Sequence, residues 1–392
     1  MKFTANRMLL YEAAKTALKI VSNNKDIPEI SGVLVEANAD SGIVTLTGTD
    51  IRTHIQCRLQ QEHIEESGSI IMNPNLPEML RLLDGDTVTI QSDEKVVCIS
   101  SGNATYTMAY LKAKGFPKMQ IPFPEDTIQV KGINSLIKLT AFAADGNITD
   151  HTKATFSYVK LSFEDGVTKA QAAENNCMAV TVSPHCADGS LVMLLHEKAL
   201  QALEGIVKPD EELYVGVVGK FAVFMKEDLF FSSMMFDGNY IEASTVLEKV
   251  KPIYGATVDA KALYGLIHDI SMVFATGDDR CINLKLENDS LKVQAKTSAC
   301  SSVSEISVLN SVSTPPEGFY YLPKLFTDCL RHMTGPVKIG MDNRGFVLLE
   351  GNGSRYLLCP RGPMRIAEKA EKQPKKNKTK STKSKTAAVK AA

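Results

Sequence analysis

The sequence predicts an α+β protein made of three copies of one domain, each with two helices packed on one face of an antiparallel sheet. A chain of 392 residues is long enough for two to four domains. Segments that begin at Val88, Leu213 and Val337 alternate apolar and polar residues, which is typical of paired strands. Their starts are 125 and 124 residues apart, and a period of this length indicates a repeated whole domain.

Each copy contains the same elements in the same order. It opens with a short strand and an amphipathic helix, in segments 3–23, 128–146 and 257–276. A strand-like run follows, and these runs begin 124 residues apart at Gly42, Gly166 and Ser290. A second helix is predicted in segments 75–83, 196–207 and 323–333. An antiparallel hairpin closes each copy, in segments 88–111, 213–236 and 337–366.

Turn-forming residues separate the three copies, in the stretches 115–127 and 247–257. We therefore predict domains at 1–125, 126–250 and 251–366. The remaining stretch, 367–392, contains nine Lys and two Glu and cannot bury a core, so we predict a disordered tail. Because the whole chain has a net charge of −1 and this tail carries +7, the three domains together carry about −8.

The composition excludes several classes of protein. No stretch approaches the ~18 apolar residues of a membrane helix, and the N-terminus has no apolar signal core. The eight Cys form no CxxC pair, so neither a metal site nor a disulfide framework is expected, and a cytoplasmic protein with buried thiols is predicted. No phosphate loop, HExxH or nucleophile elbow is present, and His185 beside Cys186 lacks a partner motif, so we predict neither catalysis nor a cofactor.

Short ordered motifs link residues 1–366 to a known family. They are MKFT at the start, IPEISGVLVEA at 27–37, LTGTDI at 46–51, GFP at 115–117, FDG at 236–238 and RYLLCPRGPMRI at 355–366. In this order and with the threefold period, the chain resembles the bacterial sliding clamp, the beta subunit of DNA polymerase III. The resemblance implies a head-to-tail homodimer of three-domain chains that closes a ring around duplex DNA. Such a ring confers processivity without catalysis, and it binds polymerase and clamp loader through short linear motifs.

The resemblance also implies that the helices line the central hole and contact DNA phosphates without reading the bases. Many weak contacts from Lys and Arg suit a ring that must slide, and an acidic body keeps DNA away from other surfaces. The predicted DNA-contacting residues are Arg7, Lys15, Lys19, Lys25, Arg81, Lys138, Lys198, Lys261, Lys324 and Arg331. The alternative for each of them singly is an ordinary solvated helix face.

A groove between the second and third domains is implied as the site for partner peptides. Its matching residues are Tyr158, Asn176, Met178, Ile241, Val246, Leu358, Pro360, Met364, Arg365 and Ile366, although several of them could instead be core residues. This chain has AENNCM at 173–178 where the family pattern resembles TDGHRL, and it inserts Arg361-Gly362-Pro363 near its closing motif. We therefore expect a different peptide preference, as in a phage-borne or otherwise specialised clamp.

The ring seam is implied between an edge strand of the first domain and the third domain of a second copy. Tyr106 and Met108 match one side and Val273 and Phe274 the other, with ordinary intradomain packing as the alternative. The Lys-rich tail is either a solubilising extension or a polycation that touches DNA. A scaffold that binds protein partners without encircling DNA, and a spare clamp beside a normal one, are the remaining alternatives.

Overall fold

A computed structural model gives the fold of the chain. It describes residues 1–361 apart from 22, 62, 165, 184–188, 275–279, 288, 297–300 and 313–317. The predictions for His185 and Cys186, for Met364, Arg365 and Ile366, and for the tail 367–392 lie outside the described residues. Within the described part of the chain, no helix is long and apolar enough to cross a membrane.

The first domain begins with a strand that leads directly into a capped helix. Asn6 ends the strand, and its Oδ1 accepts hydrogen bonds from the backbone N–H of Met8 and Leu9 at 3.0 and 3.1 Å, which satisfies two free donors of the first turn. The elements are β1 Lys2–Asn6, α1 Arg7–Ala17, β2 Val33–Asn38, β3 Ile43–Thr49, β4 Thr53–Gln60, β5 Ile64–Glu66, β6 Gly68–Met72, α2 Leu76–Leu82, β7 Thr87–Ser92, β8 Val96–Ser101, β9 Ala104–Ala109 and β10 Leu111–Lys112.

The second domain repeats this order with a shorter first helix. Gly132 precedes that helix at φ +74°, a left-handed conformation that glycine adopts without steric cost. The elements are β11 Thr127–Lys131, α3 Ile133–Lys138, β12 Tyr158–Glu164, β13 Val167–Ala173, β14 Cys177–Ser183, β15 Leu191–His196, α4 Glu197–Glu204, β16 Glu212–Val218, β17 Phe221–Lys226, β18 Leu229–Met234 and α5 Ala243–Glu248.

The third domain has the longest helix of the described residues. Asp259 caps it by accepting a hydrogen bond from the backbone N–H of Ala262 at 2.9 Å. The elements are β19 Tyr254–Asp259, α6 Ala260–Ser271, β20 Ile282–Glu287, β21 Ser290–Lys296, β22 Ser301–Ser307, β23 Leu309–Val312, α7 Pro323–Leu330, β24 Pro336–Met341, β25 Val347–Gly351 and β26 Ser354–Leu358.

Two nine-stranded sheets join neighbouring domains. One has the strand order β10-β6-β2-β3-β4-β18-β17-β16-β11, and the other β15-β12-β13-β14-β26-β25-β24-β19-β23. We call the antiparallel pairing of β4 with β18 the first seam and that of β14 with β26 the second seam. The outer parts of the first and third domains form a five-stranded sheet, β5-β1-β7-β8-β9, and a three-stranded sheet, β20-β21-β22.

The predicted closing hairpins are three-stranded meanders in the structure. Each predicted segment contains two turns instead of one, and in the third domain the additional turn lies at residues 342–346. Asp342 stabilises this turn because its Oδ1 accepts hydrogen bonds from the backbone N–H of Arg344 and Phe346, each at 2.9 Å. The sequence pattern did not predict α5, which begins between the second predicted hairpin and the turn-rich stretch 247–257 and overlaps the start of that stretch.

The helices pack on one face of the sheets and form the main core there. In the first domain, Leu10 and Ala14 of α1 are buried with Leu46 and Ile55 of the sheet. Gly48 permits the close approach of α1, because a Cβ atom at this position would lie 1.8 Å from the carbonyl oxygen of Ala17. The opposite face of the sheets carries the connections between domains, including α5. The chain therefore has a helical face and a connection face.

Candidate functional site

The predicted DNA-contacting residues are concentrated on the helical face. Seven of the ten lie in helices, one of them in each of α2, α3, α4, α6 and α7 and two in α1. Lys19 lies just after α1 and Arg331 is the C-cap of α7, whereas Lys25 lies in a loop. All three domains therefore contribute cations to one face of the molecule.

Most of these cations are exposed and have weak partners or none. Lys15 lies 3.9 Å from Glu12 across an exposed pair, and Lys324 lies 3.7 Å from Asp328. The Lys15–Glu12 pair is exposed on both sides and contributes about 0–1 kcal/mol, and the Lys324 ammonium is exposed although Asp328 is largely buried, so both ammonium groups remain free to change partner. In the described part of the chain, no carboxylate pairs with Lys19, Lys198 or Lys261.

Three members of the set are engaged more firmly. Arg7 donates from Nε to the carbonyl oxygen of Gly85 at 2.6 Å and from Nη1 to that of Leu80 at 3.0 Å. It therefore connects the start of α1 to the end of α2, and two of its donors already have backbone acceptors. Lys138 pairs with Glu204 at 3.2 Å, and Arg81 pairs with Glu78 at 2.8 Å.

The connection face of the second seam carries a separate apolar cluster. Helix α5 lies on the sheet there, and three half-buried side chains, those of Met178, Val246 and Phe346, lie at the margin. The buried members of the cluster are Ala173, Val180, Ala243, Leu247, Val250, Leu348 and Leu357. We call this set the outer cluster.

A polar network holds the start of α5 against the sheet. Lys160 of β12 forms an ion pair with Glu242, the N-cap residue of α5. Gln171 of β13 donates to Glu242 at 3.2 Å, and its Oε1 accepts from the backbone N–H of Ser244 at 3.0 Å. The hydroxyl of Tyr240 donates to the carbonyl oxygen of Gln171 at 2.7 Å, and burial raises the pKa of Tyr240.

The structure brings only part of the predicted peptide groove together. Met178 and Val246 lie at the margin of the outer cluster, and Ile241 is half-buried in the segment that leads into α5. Asn176 lies close by, because its carbonyl oxygen accepts from the backbone N–H of Cys359 at 2.9 Å, and half-buried Pro360 is the next residue.

Two predicted groove residues lie elsewhere. Tyr158 stacks on Phe236, with ring centroids 4.4 Å apart, and both line a cavity beside the first seam. Leu358 is fully buried in the main core on the helical face. Its neighbour Leu357 belongs to the outer cluster, because successive residues of a strand point to opposite faces. Strand alternation was the signal that could have selected Leu357.

The two outer sheets each end in a strand that lacks a neighbour on one side among the described residues. In the five-stranded sheet this edge is β9, where Tyr106 and Met108 are half-buried against the main core. In the three-stranded sheet it is β22. Val273 and Phe274 follow α6 and do not belong to that edge strand. The sequence analysis included β22 in the strand-like run that begins at Ser290 but did not select it for the ring seam, because SSVSEIS contains few apolar residues.

Two exposed apolar side chains lie at helix ends of the first and third domains. Leu82, the last residue of α2, is 62% exposed, and Met272, the C-cap of α6, is 75% exposed. At the first seam the corresponding helix ends of two domains meet, because Lys19 after α1 lies close to Gly205 at the end of α4. The sequence analysis selected neither apolar residue.

Several buried groups have shifted pKa values but form no catalytic arrangement. Burial raises the pKa of Glu197 to about 7 and that of Cys57 to about 12. Burial also lowers the pKa of His54, which favours its neutral form. Among the described residues, no group of three or more His, Cys, Asp or Glu side chains is placed to hold a metal ion.

Comparison with known sequences connects the chain to one family. A family model described as "DNA polymerase III beta subunit, N-terminal domain" matches residues 1–120. The beta sliding clamp of Bacillus subtilis is 24% identical over 352 residues, which covers 86% of this chain and 91% of that protein. The beta sliding clamp of Synechococcus elongatus is 22% identical over 378 residues, which covers 93% of this chain and 97% of that protein.

Solved structures confirm the predicted three-domain fold. The DNA polymerase sliding clamp from Bacillus subtilis superposes with a TM-score of 0.79 at 21% identity, covering 93% of this chain and all of that chain. The DNA polymerase III beta subunit from Thermotoga maritima superposes with a TM-score of 0.81 at 16% identity, covering 92% of this chain and 99% of that chain.

Proposed function

We propose that this chain, which belongs to the bacterial beta sliding clamp family, is a cytoplasmic DNA sliding clamp. Two copies form a ring around duplex DNA and tether the replicative polymerase to its template, and the protein catalyses no reaction. The observation that supports this function most strongly is the arrangement of the helical face, where cations recur in all three domains while the three domains as a whole are acidic.

The cations of the helical face act as sequence-independent phosphate contacts. A Lys side chain with a weak partner can exchange a carboxylate for a phosphate at little cost, because exposed ion pairs contribute little. Each contact also releases counterions from DNA, which gives affinity without selecting bases. Lys15, Lys19, Lys198, Lys261 and Lys324 fit this role best, because they are exposed and weakly paired or unpaired.

Ring closure requires a third seam, formed between β9 of one copy and β22 of another. Strand β9 begins at Ala104, and its equivalents β18 and β26 begin 125 and 250 residues later. When 123 is added to the residue numbers of a β13–β14 pair, the result is a pair of residues that face each other in β21 and β22. Strand β22 is therefore the equivalent of β14. The two free edges are therefore equivalent to the strands that pair at the existing seams.

This equivalence predicts the register of the third seam. The second seam pairs Ser354 with Thr181, and the first seam pairs Leu229 with Cys57 at the corresponding position. Moving either pair by the repeat spacing places Ala104 of one copy opposite Ser304 of the other. The next position places Thr105 opposite Val303. Because both existing seams give the same register, the third seam is fully specified.

Disulfide formation between copies tests this register. Directly opposed residues of antiparallel strands have Cβ atoms about 4.5–5.5 Å apart, within reach of a disulfide after small adjustment. We expect the double variant Thr105→Cys with Val303→Cys to give a covalent dimer under mild oxidation. Both positions are exposed, so the substitutions leave the core unchanged.

The matched control keeps Thr105→Cys and moves the second cysteine to Ser307, which is also exposed and lies four residues along β22. The control and both single variants should remain monomeric on non-reducing gels, which also excludes pairing with native cysteines such as half-buried Cys98. Equal cross-linking by the matched and shifted pairs would contradict the predicted register.

The connection face of the second seam is the proposed site for linear motifs of the polymerase and the clamp loader. Met178, Val246 and Phe346 provide half-buried apolar surface there, and residues 173–178 border it with a sequence that departs from the family pattern. We expect Met178→Glu to weaken binding of a polymerase-derived clamp-binding peptide at least tenfold, measured by fluorescence anisotropy, because a carboxylate would enter an apolar contact. Unchanged binding would place the motif elsewhere.

A further inference from the structure

The connections that follow β10 and β18 occupy equivalent places but have different structures. Helix α5 spans residues 243–248, and the equivalent residues 118–123 of the first connection have no regular structure. Pro117, Pro122 and Pro124 account for the difference, because proline lacks the N–H that a helix interior requires. The first connection therefore cannot cover the sheet as α5 does.

A cavity of about 680 Å³ lies between the first connection and the sheet. Its floor is the connection face of the first seam, formed by His54, Gln56 and Arg58 of β4 and by Phe230 and Ser232 of β18. The alternate residues of both strands face the main core. The cavity is thus the equivalent, at the first seam, of the surface that α5 fills at the second seam.

The wall of the cavity presents aromatic and sulfur-containing side chains to solvent. Phe123 is 58% exposed and lies edge-on to Phe230, with ring centroids 5.6 Å apart. Met119 is 38% exposed, and its Sδ lies 2.8 Å from Nε2 of His54. Phe116 is buried at the start of the connection and anchors it to the sheet. Clustered exposed apolar groups around a cavity of this size are typical of binding sites.

One cation at the cavity lacks an acidic partner. Lys118 pairs with Glu36 at 2.5 Å, so its charge is compensated. The guanidinium of Arg58 lies 5.3 Å from the ring centroid of Phe123, and its Nη2 donates to Oε1 of Gln56 at 3.3 Å. Among the described residues no carboxylate lies within ion-pair distance of Arg58. An acidic group on a ligand would supply this missing partner.

The second seam shows what a filled surface of this kind contains. The equivalents of His54 and Ser232 are Met178 and Leu357, which are paired across the second seam as His54 and Ser232 are across the first. Both belong to the outer cluster beneath α5. The chain therefore covers an apolar floor with its own helix at one seam and leaves a mixed polar and apolar floor open at the other.

We propose that the cavity at the first seam is a docking site for a short peptide of a partner protein. The peptide supplies an aromatic or long aliphatic side chain, which lies against Phe123 and Phe230, and a nearby carboxylate, which pairs with Arg58. This site is additional to the peptide surface at the second seam and does not depend on DNA encirclement. The Lys-rich tail of the chain itself does not fit, because its charge has the same sign as Arg58.

Selection from a display library of random dodecapeptides on the full chain, followed by fluorescence anisotropy of the enriched peptides, tests the proposal. We expect enriched sequences that combine an aromatic or aliphatic residue with Asp or Glu. The variant Arg58→Glu should weaken their binding roughly tenfold or more, because it removes a charge-assisted hydrogen bond and introduces repulsion. Phe123→Ser should weaken it as well, and this exposed side chain can be replaced without opening the core.

The control is Arg355→Glu, which reverses a half-buried arginine of β26 on the connection face of the second seam, where it lies opposite Val180. It should leave binding of these peptides unchanged, and thermal unfolding should show that both charge variants fold. The proposal is overturned if no peptide is enriched, if Arg58→Glu and Arg355→Glu act equally, or if deletion of residues 367–392 raises affinity by removing the chain's own tail from the cavity.

Discussion

At the residue scale, the exposed lysines of the helical face carry the proposed DNA contact. Replacing Lys15, Lys19 and Lys198 together by Gln should weaken DNA binding. Each lost phosphate contact lowers the slope of log affinity against log salt by about 0.9, so the slope should fall by up to about 5 in a ring that loses three lysines from each of its two chains. Equilibrium binding to duplex DNA at several salt concentrations measures this change.

The control for this prediction removes the same charge from other surfaces. Lys220, Lys249 and Lys251 are exposed and lie outside the helices of the helical face. Their joint replacement by Gln should leave the salt slope nearly unchanged. A similar loss of slope in both triple variants would show that net charge, and not the helical face, governs DNA binding.

Glu197 should make stability depend on pH in an unusual direction. Burial raises its pKa from the ordinary 4.5 to about 7, so between these values the unfolded state releases a proton that the folded state keeps. The free energy of unfolding therefore falls as pH rises through this range. We expect Glu197→Gln to flatten that fall, measured by urea unfolding at pH 4.5, 6 and 7.5. A parallel pH profile in both proteins would refute the assignment.

Single residues also show which features of the structure could be predicted from the sequence and which could not. The threefold spacing placed most predicted cations on helices correctly, because helix positions follow from periodic apolar residues. It did not distinguish Leu357 from Leu358, since both are apolar and only the strand's orientation decides which one faces the core. It also could not reveal that Arg7 bonds to the end of α2, because that contact joins residues distant in sequence.

At the scale of elements, α5 is the clearest departure from the repeat. It overlaps the start of the turn-rich stretch 247–257, and six residues carry too little periodicity to predict a helix. Tertiary contacts with the outer cluster and with Gln171 stabilise it instead. The sequence analysis predicted hairpins where the structure has meanders, and the reason is again a tertiary one. In the third domain, the second turn at residues 342–346 depends on hydrogen bonds to Asp342.

Substitution of Leu247 tests how much the packing of α5 on the outer cluster contributes to the free energy of unfolding. Its side chain is fully buried, so Leu247→Ala should lower the free energy of unfolding by about 2–5 kcal/mol. Val246 on the same helix is half-buried, and Val246→Ala should cost about 1 kcal/mol. Urea unfolding compares the two variants directly. Equal losses would mean that α5 does not pack as described.

At the scale of the whole molecule, closure of the proposed ring depends on two edge strands, β9 and β22. Each of them pairs with the other edge strand of a second copy. Met272 and Leu82 are expected to become buried at this third seam, because the corresponding helix ends lie close together at the first seam. We expect Met272→Asp to weaken dimerisation by about 3 kcal/mol, roughly a hundredfold, summed over the two identical seams of the ring, because it places an unpaired carboxylate in each apolar contact. Sedimentation equilibrium measures the dissociation constant, and Val167→Asp at an exposed position away from both edges is the control.

Sedimentation velocity of the full chain at low micromolar concentration tests the two-chain ring most directly. In the proposed ring, β9 and β22 of one chain pair with β22 and β9 of another, so the closed assembly contains two copies. The account predicts a single species with a mass near twice the 42.8 kDa of the chain. A stable species of 42.8 kDa at that concentration would contradict it, because a single chain leaves both β9 and β22 unpaired and cannot encircle DNA.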